Sequence, residues 1–454
     1  MDNYTERMVD SVARNVTGLA EFECSGFEIT GDRIALRYRA TGTDGREHAF
    51  TETITLPASL AEADPDVVEP IVRLLHFAAA PSYFKAFAPA RITVPSGLTH
   101  QERHFFTEVL INGLGEFAYV NNLPEVFDTP IEAPDRPDTT GTAPEVFEPS
   151  RLLVAVGGGK DSIVSIETLK TEGYEIGLFS VNSYQPIEAT AEVAGVPLES
   201  AKRALDPALF ELNKQGAPNG HVPVTAVNSL IAILSAQALG FDAVVFSNEA
   251  SSSFGNVAWA GRNVNHQWSK GIEFERLLRA SLPAESPQYF SLLRPLSELR
   301  ISRRFATLAD YHSVFTSCNR AFKLAEADRT SWCGDCPKCR FVFVSLAPFL
   351  SREELLRIFN GRDLLADESQ FEGFLELLAL DGLLKPFECV GEPSEVKVAI
   401  ALLHEHPEWR SHPFLAHPQI AALEVSDLDQ AAVFAFDEDE HNLWPRIEAA
   451  VREV

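Results

Sequence analysis

The sequence predicts an α/β protein whose central part is a doubly wound parallel sheet, flanked by an N-terminal α+β domain and a helical C-terminal region. Apolar residues make up 45% of the 454 positions, so a large core can form and disorder of the whole chain is excluded. Buried strand-like and helix-like segments alternate between residues 150 and 345. Short β-branched runs precede this part of the chain, and segments with helical periodicity follow it.

The N-terminal α+β domain is predicted over residues 1–124. Turn-forming residues separate three short strand-like runs, which is typical of hairpins; the runs are Phe27–Thr30, Ile34–Arg39 and His48–Leu56. Residues Pro65–Ala79 carry apolar side chains at helical spacing. This part shows no catalytic signature, so we interpret it as a scaffold or a substrate-side wall. A linker rich in Pro and acidic residues is predicted over residues 125–149.

The parallel sheet is predicted over residues 150–345 because strands and helices alternate there. The predicted elements are strand Leu152–Val156, helix Ser162–Glu172, strand Ile176–Val181, helix Pro186–Ala194, helix Val227–Leu239 and strand Ala243–Phe246. Ligands of such sheets bind beyond the carboxyl ends of the strands. Those ends are Gly157–Ser162, Asn182-Ser183 and Ser247-Asn248-Glu249. The helical C-terminal region, 346–454, has periodic segments at Glu353–Phe359, Phe371–Leu378 and Val396–Leu403.

The charge balance excludes several classes of function. The chain has 38 basic and 65 acidic residues and a net charge of −27, so its surface repels nucleic-acid backbones and anionic membranes. No apolar stretch approaches the ~18 residues of a membrane span, and the N-terminus lacks the apolar segment of a secretory signal. Six cysteines in a chain of this length do not form a secreted disulfide scaffold. We therefore expect a cytoplasmic protein without a nucleic-acid or membrane partner.

A glycine-rich turn joins the first strand of the predicted sheet to its helix, with the sequence Gly157-Gly158-Gly159-Lys160-Asp161-Ser162. Glycines let backbone N–H groups close on an anion, and the N-terminus of the helix adds free donors. Lys160 adds a positive charge and Ser162 a hydroxyl, whereas Asp161 would help to hold Mg²⁺ or cap the helix. Asn182, after the next strand, is a further candidate for nucleotide binding. Walker A and Rossmann loops need different glycine spacings, and a turn without a ligand is the alternative.

Four of the six cysteines have the spacing of a metal site: Cys318, Cys333, Cys336 and Cys339. Four thiolates from two chain segments suit a closed tetrahedral zinc site. An iron–sulfur cluster is the main rival, and a disulfide or free thiols form the remaining alternative. A closed zinc site would stabilise the fold without taking part in the chemistry.

Polar side chains are concentrated between the glycine loop and the cysteines. The candidates that this segment contributes are Glu249, Arg262, Asn265, His266 and Lys270. Because they follow a strand at the ligand-binding edge, we interpret them as a substrate wall; a loop of internally satisfied polar side chains is the alternative. We expect His221 to be structural. Arg294 and Arg300 belong to an arginine-rich segment that could hold a diphosphate or a carboxylate.

The glycine loop resembles the PP-loop of the N-type ATP pyrophosphatases, whose pattern is Ser-Gly-Gly-x-Asp-Ser. Positions Gly158–Ser162 match the pattern, and Gly157 stands where that family has its first Ser. The cysteines are similar in arrangement to those of the 7-cyano-7-deazaguanine synthases, PP-loop enzymes with four zinc-binding cysteines. The resemblance implies a HUP-like sheet, cleavage of ATP between its α and β phosphates, and transfer of AMP to an oxygen of the substrate.

Six motifs, in this order, resemble one closer family, the UDP-N-acetyl-α-D-muramoyl-L-alanyl-L-glutamate epimerases (MurL). They are GGGKDS, HVPVTAVNS, FSNEAS, NHQWSKGIEFE, RPLSELRIS and SWCGDCPKCRFVF. The resemblance covers roughly 150–345 well, and the flanks by length and position. It implies inversion of the terminal L-Glu of UDP-MurNAc-L-Ala-L-Glu with ATP and Mg²⁺, through an acyl-adenylate. It also implies that Gly157–Ser162 bind the phosphates and that Glu249, His266 and Lys270 supply a base, an acid or a carboxylate anchor.

Other functions remain open at this point. An amide or nitrile synthetase similar to the deazaguanine enzymes would keep the adenylation and change the acceptor. A tRNA thiolase is disfavoured by the charge of −27. An ATP-binding sensor would release no pyrophosphate. The resemblance to the epimerases further implies functional coupling to a muramoyl-alanine L-glutamate ligase, which would supply the substrate.

Overall fold

The computed structural model describes residues 19–137, 148–318, 320 and 332–454. The N-terminal residues that argue against a secretory signal and part of the predicted linker, 138–147, lie outside this described portion. The chain forms two compact units. The first comprises the described parts of Met1–Pro149 with Ser200–Val244 and Val257–Tyr289, and the second Ser150–Glu199, Val245–Asn256 and Phe290–Val454. The contiguous division predicted from the sequence, with an N-terminal domain, a linker, a sheet domain and a helical C-terminal region, remains a prediction.

The described residues form the following strands and helices. The strands are β1 (Leu19–Thr30), β2 (Arg33–Gly42), β3 (Glu47–Thr55), β4 (Ile92–Thr93), β5 (Ile131–Glu132), β6 (Arg151–Ala155), β7 (Glu175–Val181), β8 (Leu198–Ala204), β9 (Ala243–Phe246), β10 (Val257–Trp259), β11 (Arg262–Val264) and β12 (Gln288–Ser291). The helices are α1 (Pro65–Ala79), α2 (Pro81–Phe84), α3 (His100–Gly113), α4 (Gly115–Asn121), α5 (Lys160–Thr171), α6 (Gln185–Ala194), α7 (Pro207–Lys214), α8 (Val224–Leu239), α9 (Ile272–Ser281), α10 (Glu298–Phe305), α11 (Pro337–Leu346), α12 (Arg352–Ile358), α13 (Phe371–Leu377), α14 (Pro393–Glu405), α15 (Pro418–Ala421), α16 (Asp427–Phe434) and α17 (Pro445–Arg452). None of the helices within these residues has the length and apolar character to span a bilayer.

The first unit is built on a mixed sheet. Strand β2 pairs antiparallel with β1 and β3, and β3 pairs antiparallel with β8, whereas β4 runs parallel to β1 and to β5. Alternate residues of β2 are buried, among them Ile34, Leu36 and Tyr38, because successive side chains of a strand point to opposite faces. Helix α1 begins where the Asp64 carboxylate accepts a hydrogen bond from Asp66 N, at 2.9 Å. It packs on α8 and α3 and buries most of its length.

The second unit contains the parallel strands that the sequence predicts. Strands β6 and β7 run parallel, in a register that pairs Arg151 with Glu175 and Ala155 with Phe179. Leu152, Leu153 and Val154 are all buried, which is typical of a strand covered on both faces. The strand order is β12-β9-β6-β7. The next strand in sequence, β7, therefore lies on one side of β6, and the later strand β9 lies on its other side. The order therefore reverses between β6 and β9, and ligands of α/β sheets bind at such a point.

Helices α10 to α17 follow in the second unit, and α12 to α17 lie within the predicted helical region, 346–454. The periodic segments predicted there correspond to α12, α13 and α14, with ends displaced by at most three residues. Trp409 is fully buried, with its ring 6.1 Å from that of Phe343 and the Arg352 guanidinium 5.2 Å from it. The α/β class is thus confirmed, and membership of the HUP-like folds remains a prediction.

Candidate functional site

The glycine loop lies where the strand order reverses, between the end of β6 and the start of α5. Gly158 has a φ of +76°, and a Cβ there would lie 3.2 Å from Pro186 and 3.3 Å from Ile187 N. Both the left-handed turn and the close approach therefore require glycine. Gly159 is the N-cap of α5 and provides no capping side chain, so it leaves the first N–H groups of the helix to other acceptors. The Ser162 hydroxyl donates to Gly159 O at 3.0 Å.

Lys160 is buried, and its ammonium group contacts the carboxylates of Asp161 and Glu298. Burial lowers the pKa of Lys160, but the two carboxylates outweigh burial and raise this pKa above its usual value. Glu298, the first residue of α10, is also buried; burial first, and then the charge of Asp161, raises its pKa to about 8. Asp161 lies in the first turn of α5, where its negative charge interacts favourably with the positive end of the helix dipole.

Two further buried carboxyl groups belong to this site, Glu249 and Glu395. The Glu249 carboxylate accepts a hydrogen bond from the Ser251 hydroxyl at 3.2 Å. The Glu395 carboxylate accepts hydrogen bonds from Leu299 N at 2.8 Å and Glu392 N at 3.1 Å. Burial first raises the pKa of Glu395, to about 7, and the charge of Glu249 contributes to the rise. Sequence reasoning missed Glu298 and Glu395; Glu298 lies inside the motif RPLSELRIS, which was the available signal.

Asn182 follows β7, whose carboxyl end lies beside that of β6 in the parallel pair. It has a φ of +56°, a conformation that Asn adopts more readily than most residues. Next to it, the hydroxyl groups of Ser180 and Ser183 form a hydrogen bond of 2.9 Å. The strand pairing therefore brings Asn182 to the same sheet edge as the glycine loop, as the sequence predicts.

Arg294 and Arg300 have partners within the second unit. The fully buried Arg294 donates to Glu249 O at 2.9 Å and to the Ser252 hydroxyl at 2.8 Å, so it positions the turn after β9. Arg300 donates to Phe434 O at 3.0 Å and Arg452 O at 2.6 Å, which ties α10 to α16 and α17. The structure gives both guanidinium groups positioning contacts, and their role as substrate ligands remains a prediction.

A second polar cluster, Glu116, His221 and His266, lies in the first unit. Nδ1 of His266 contacts the carboxylate of Glu116, and the rings of His266 and His221 are 4.2 Å apart between centroids. Burial first, and then the charges of His266, Lys270 and Lys85, lower the pKa of His221 to about 3. Sequence reasoning missed Glu116 and interpreted His221 as structural, although the motif HVPVTAVNS begins with this histidine.

The other candidates of this polar segment are distributed around His266. Asn265 accepts a hydrogen bond from Gln267 N at 2.8 Å through its side chain, which shapes the turn that presents His266. Lys270 is half-buried at the end of a 3₁₀ turn, Trp268–Lys270. Arg262 is exposed on β11, with its guanidinium 5.3 Å from the ring centre of Phe127. Of these candidates, His266 lies in the cluster with Glu116 and His221, and the charge of Lys270 acts on His221.

The four cysteines converge on one point in the second unit. The Sγ atom of Cys339 lies 3.7 Å from that of Cys333 and 3.5 Å from that of Cys336, and all four Sγ atoms lie within 4.8 Å of one another. A tetrahedral zinc ion with Zn–S bonds of ~2.3 Å separates its sulfur ligands by about 3.8 Å, whereas a disulfide bond is ~2.0 Å long. The thiols are free. The arrangement fits one shared ion, since the iron and sulfide atoms of a cluster would hold the thiols further apart.

The turn between Cys333 and Cys336 has the geometry of a metal knuckle. Asp335 N donates to the Cys333 sulfur at 3.4 Å, and Cys339 N donates to the Cys336 sulfur at 3.5 Å. Gly334 has a φ of +65°, and a Cβ there would lie 2.4 Å from the Arg362 guanidinium. Arg362 donates to Cys333 O at 2.7 Å and so holds the turn from outside.

The cysteine site is connected to the glycine loop by the segment that ends at Cys318. Thr316 N donates to Gly158 O at 2.9 Å, and Cys318 N donates to the Thr316 hydroxyl at 3.2 Å. A Cβ on Gly159 would lie 2.6 Å from the Ser317 hydroxyl. Any ion bound by Cys318 therefore helps to fix the backbone against which the glycine loop rests.

Comparisons with known proteins identify the family of this chain. Residues 13–292 match the family model of the MurL N-terminal domain, and residues 314–432 match that of the MurL C-terminal domain. The chain belongs to the MurL family. Both the glycine loop and the Glu116, His221 and His266 cluster lie within the first of these matches, and Cys318, Cys333, Cys336 and Cys339 lie within the second.

Relatives in the MurL family are similar to this chain over most of their length. A protein of a Micromonospora species is 49% identical over 394 residues, which are 85% of this chain and 86% of the relative. A Salinispora tropica protein is 47% identical over 404 residues, 87% of each chain. A protein of Xanthomonas oryzae pathovar oryzae is 42% identical over 418 residues, 88% of this chain and 91% of the relative. All three are named UDP-N-acetyl-alpha-D-muramoyl-L-alanyl-L-glutamate epimerase.

Proposed function

We propose that this chain inverts the terminal L-Glu of UDP-MurNAc-L-Ala-L-Glu to D-Glu, in the cytoplasm, as a step of peptidoglycan precursor synthesis. The observation that carries the proposal is the match to three epimerases of 42 to 49% identity over at least 85% of this chain. The substrate would come from a muramoyl-alanine L-glutamate ligase, to which the enzyme would be functionally coupled. The proposed reaction involves neither a nucleic acid nor a membrane.

The activation step would use ATP and Mg²⁺. The loop Gly157–Ser162 would hold the phosphates, because it combines a glycine turn, an open helix N-terminus and a lysine. Asn182 would contribute to the same nucleotide site. The carboxylate of Asp161 is an oxygen ligand of the kind that Mg²⁺ prefers. ATP would transfer its AMP group to the glutamate carboxylate and leave pyrophosphate.

The chemical purpose of activation is to make the α-proton removable. A free carboxylate resists loss of the neighbouring proton, because a dianion would form. An acyl-adenylate carries no negative charge on the carbonyl and can accept the electron pair. A base then takes the α-proton, a proton returns to the opposite face, and water releases AMP. Glu249, His266 and Lys270 are the candidates for base, acid and carboxylate anchor.

Two further sets of residues would support this chemistry. Arg262, Asn265, Arg294 and Arg300 would line or shape the substrate site. The four cysteines would hold a structural zinc ion, which their sulfur spacing fits, and this ion would stabilise the segment beneath the glycine loop. An adenylating amide or nitrile synthetase is the alternative reaction, because the resemblance to the deazaguanine enzymes extends to the four cysteines.

The test is incubation of the protein with UDP-MurNAc-L-Ala-L-Glu, ATP and Mg²⁺ in D₂O. We expect the D-Glu product, AMP and pyrophosphate, with one deuterium at the glutamate α-carbon, because inversion breaks that C–H bond. Asp161→Asn should abolish AMP formation, and Asp310→Asn, a change at an exposed aspartate of the same unit, should not. An amide product in the presence of ammonia would favour the synthetase instead, and a product without deuterium would contradict the epimerase.

A further inference from the structure

The first unit holds a group of metal-type ligands, two of which, Glu116 and His221, have no part in the proposed reaction. Glu116, His221 and His266 each offer one ligand atom, and these atoms lie within 4.8 Å of one another. Two imidazoles and one carboxylate form the donor set of many three-ligand zinc sites and of non-haem iron sites. The side chains of His266 and Glu116 are 13% and 15% exposed, so the cluster is shielded and still reachable from solvent.

Three separate chain segments are held together to form this cluster. Helix α4 provides Glu116, the loop before α8 provides His221, and the turn after β11 provides His266. Gly113 ends α3, just before α4, and a Cβ on it would lie 2.6 Å from Pro223, so glycine there allows the end of α3 and the loop before α8 to approach. Gly220 has the same function, since its Cβ would lie 3.2 Å from the ring of Phe117.

Hydrogen bonds fix the loop that presents His221. The Lys85 ammonium donates to Asn219 Oδ1 at 2.5 Å and to Gly220 O at 3.1 Å. Asn121, at the end of α4, donates to Asn219 O at 3.2 Å. The His221 ring has no hydrogen-bond partner among the described residues; it lies against the ring of His266, and the charges of Lys270 and Lys85 also act on it. A half-buried imidazole that is held in place without a partner has a nitrogen available to a ligand.

We propose that Glu116, His221 and His266 bind one divalent transition-metal ion, with zinc the best match to the donor set. Three protein ligands leave at least one coordination position for water or an oxygen anion. His266 would then act as a metal ligand, and the ion would provide the carboxylate anchor that is one of the three roles considered for this histidine. The metal site rests on the donor geometry alone, whereas the anchoring role of the ion also rests on the proposed function.

Cobalt binding provides a test that needs neither ATP nor the muramoyl substrate. The full-length protein is stripped of metal and titrated with Co²⁺, whose thiolate complexes absorb strongly in the near ultraviolet. The first equivalents of Co²⁺ should produce that near-ultraviolet band, because they bind to the four cysteines. A further equivalent should add visible bands without near-ultraviolet absorption, because imidazole and carboxylate ligands lack this charge transfer.

Variants test which residues bind the second kind of Co²⁺ equivalent, the one without near-ultraviolet absorption. His221→Ala and Glu116→Gln should each lose it and keep the thiolate band, which also shows that the second unit is intact. His104→Ala, a change at an exposed histidine of the same unit, should retain both. Circular dichroism checks that each variant is folded. Binding confined to the thiolate site in the wild type, or a second equivalent that survives in both variants, would overturn the proposal.

Discussion

Serine substitutions at two neighbouring glycines test the phosphate loop. Gly157 is outside the left-handed region, and no described atom lies within 4 Å of a Cβ built on it. Gly157→Ser, which completes the pattern Ser-Gly-Gly-x-Asp-Ser, should therefore change the free energy of unfolding by less than about 0.5 kcal/mol. We expect AMP formation to be kept or increased, since the new hydroxyl adds a donor beside the loop.

Gly158→Ser is the matched change. A left-handed serine costs about 1–2 kcal/mol, and the crowding against Pro186 and Ile187 N adds roughly 1–2 kcal/mol. The total, about 2–4 kcal/mol, should lower the Tm by at least ~4 °C and displace the loop from its ligand. Thermal unfolding and AMP release are measured on both variants. Equal effects of the two substitutions on Tm would refute the assignment of the turn to Gly158.

The remaining predictions concern the metal, the buried pair and pH. Wild-type protein should contain about one zinc at the cysteines; elemental analysis of Cys336→Ser should show its loss together with a lower Tm, whereas Cys389→Ser keeps the metal. Lys160→Met should abolish AMP formation and cost about 3 kcal/mol in urea unfolding, because removing one partner of a buried ion pair leaves the other uncompensated; full activity would contradict the role of Lys160. The pKa of Glu395 is raised from 4.5 to about 7, so the protonated carboxyl group contributes about 3 kcal/mol to the free energy of unfolding. This contribution is present below pH 4.5 and is lost as the pH rises through 7. Glu395→Gln should therefore flatten the fall in unfolding free energy between about pH 5 and pH 8, and the exposed Glu405→Gln should leave it unchanged.

The elements with strong periodicity could be predicted from the sequence. Helix Pro65–Ala79 and strand Ala243–Phe246 are found with the predicted ends, because a helix-starting proline and an abrupt change of period mark them. Strand Leu198–Ala204 was not predicted, since Lys202 and Arg203 break its apolar pattern and its partner β3 is distant in sequence. Pairing with a strand that is distant in sequence leaves no signal in the residues of the strand itself.

The candidate site shows the same division. The glycine loop is contiguous and the cysteines lie at short, regular spacings, so these residues could be identified from the sequence pattern. Glu298 and Glu116 were missed because each is an ordinary acidic residue on a helix, and only folding brings it to Lys160 or His266. The burial that raises the pKa of Glu298 is likewise a property of the packed unit and not of the sequence around it.

The first unit consists of three separate segments of the chain, and this has a practical consequence for work with fragments. Helix α8 (Val224–Leu239) packs on α1 (Pro65–Ala79), although some 150 residues of chain separate them. A fragment that stops at residue 149 would lack α8 and would expose the buried face of α1, including Ile71 and Leu75. Such a fragment should aggregate when expressed alone. Co-expression of two halves should succeed only if the second half brings residues 200–289 back to the sheet.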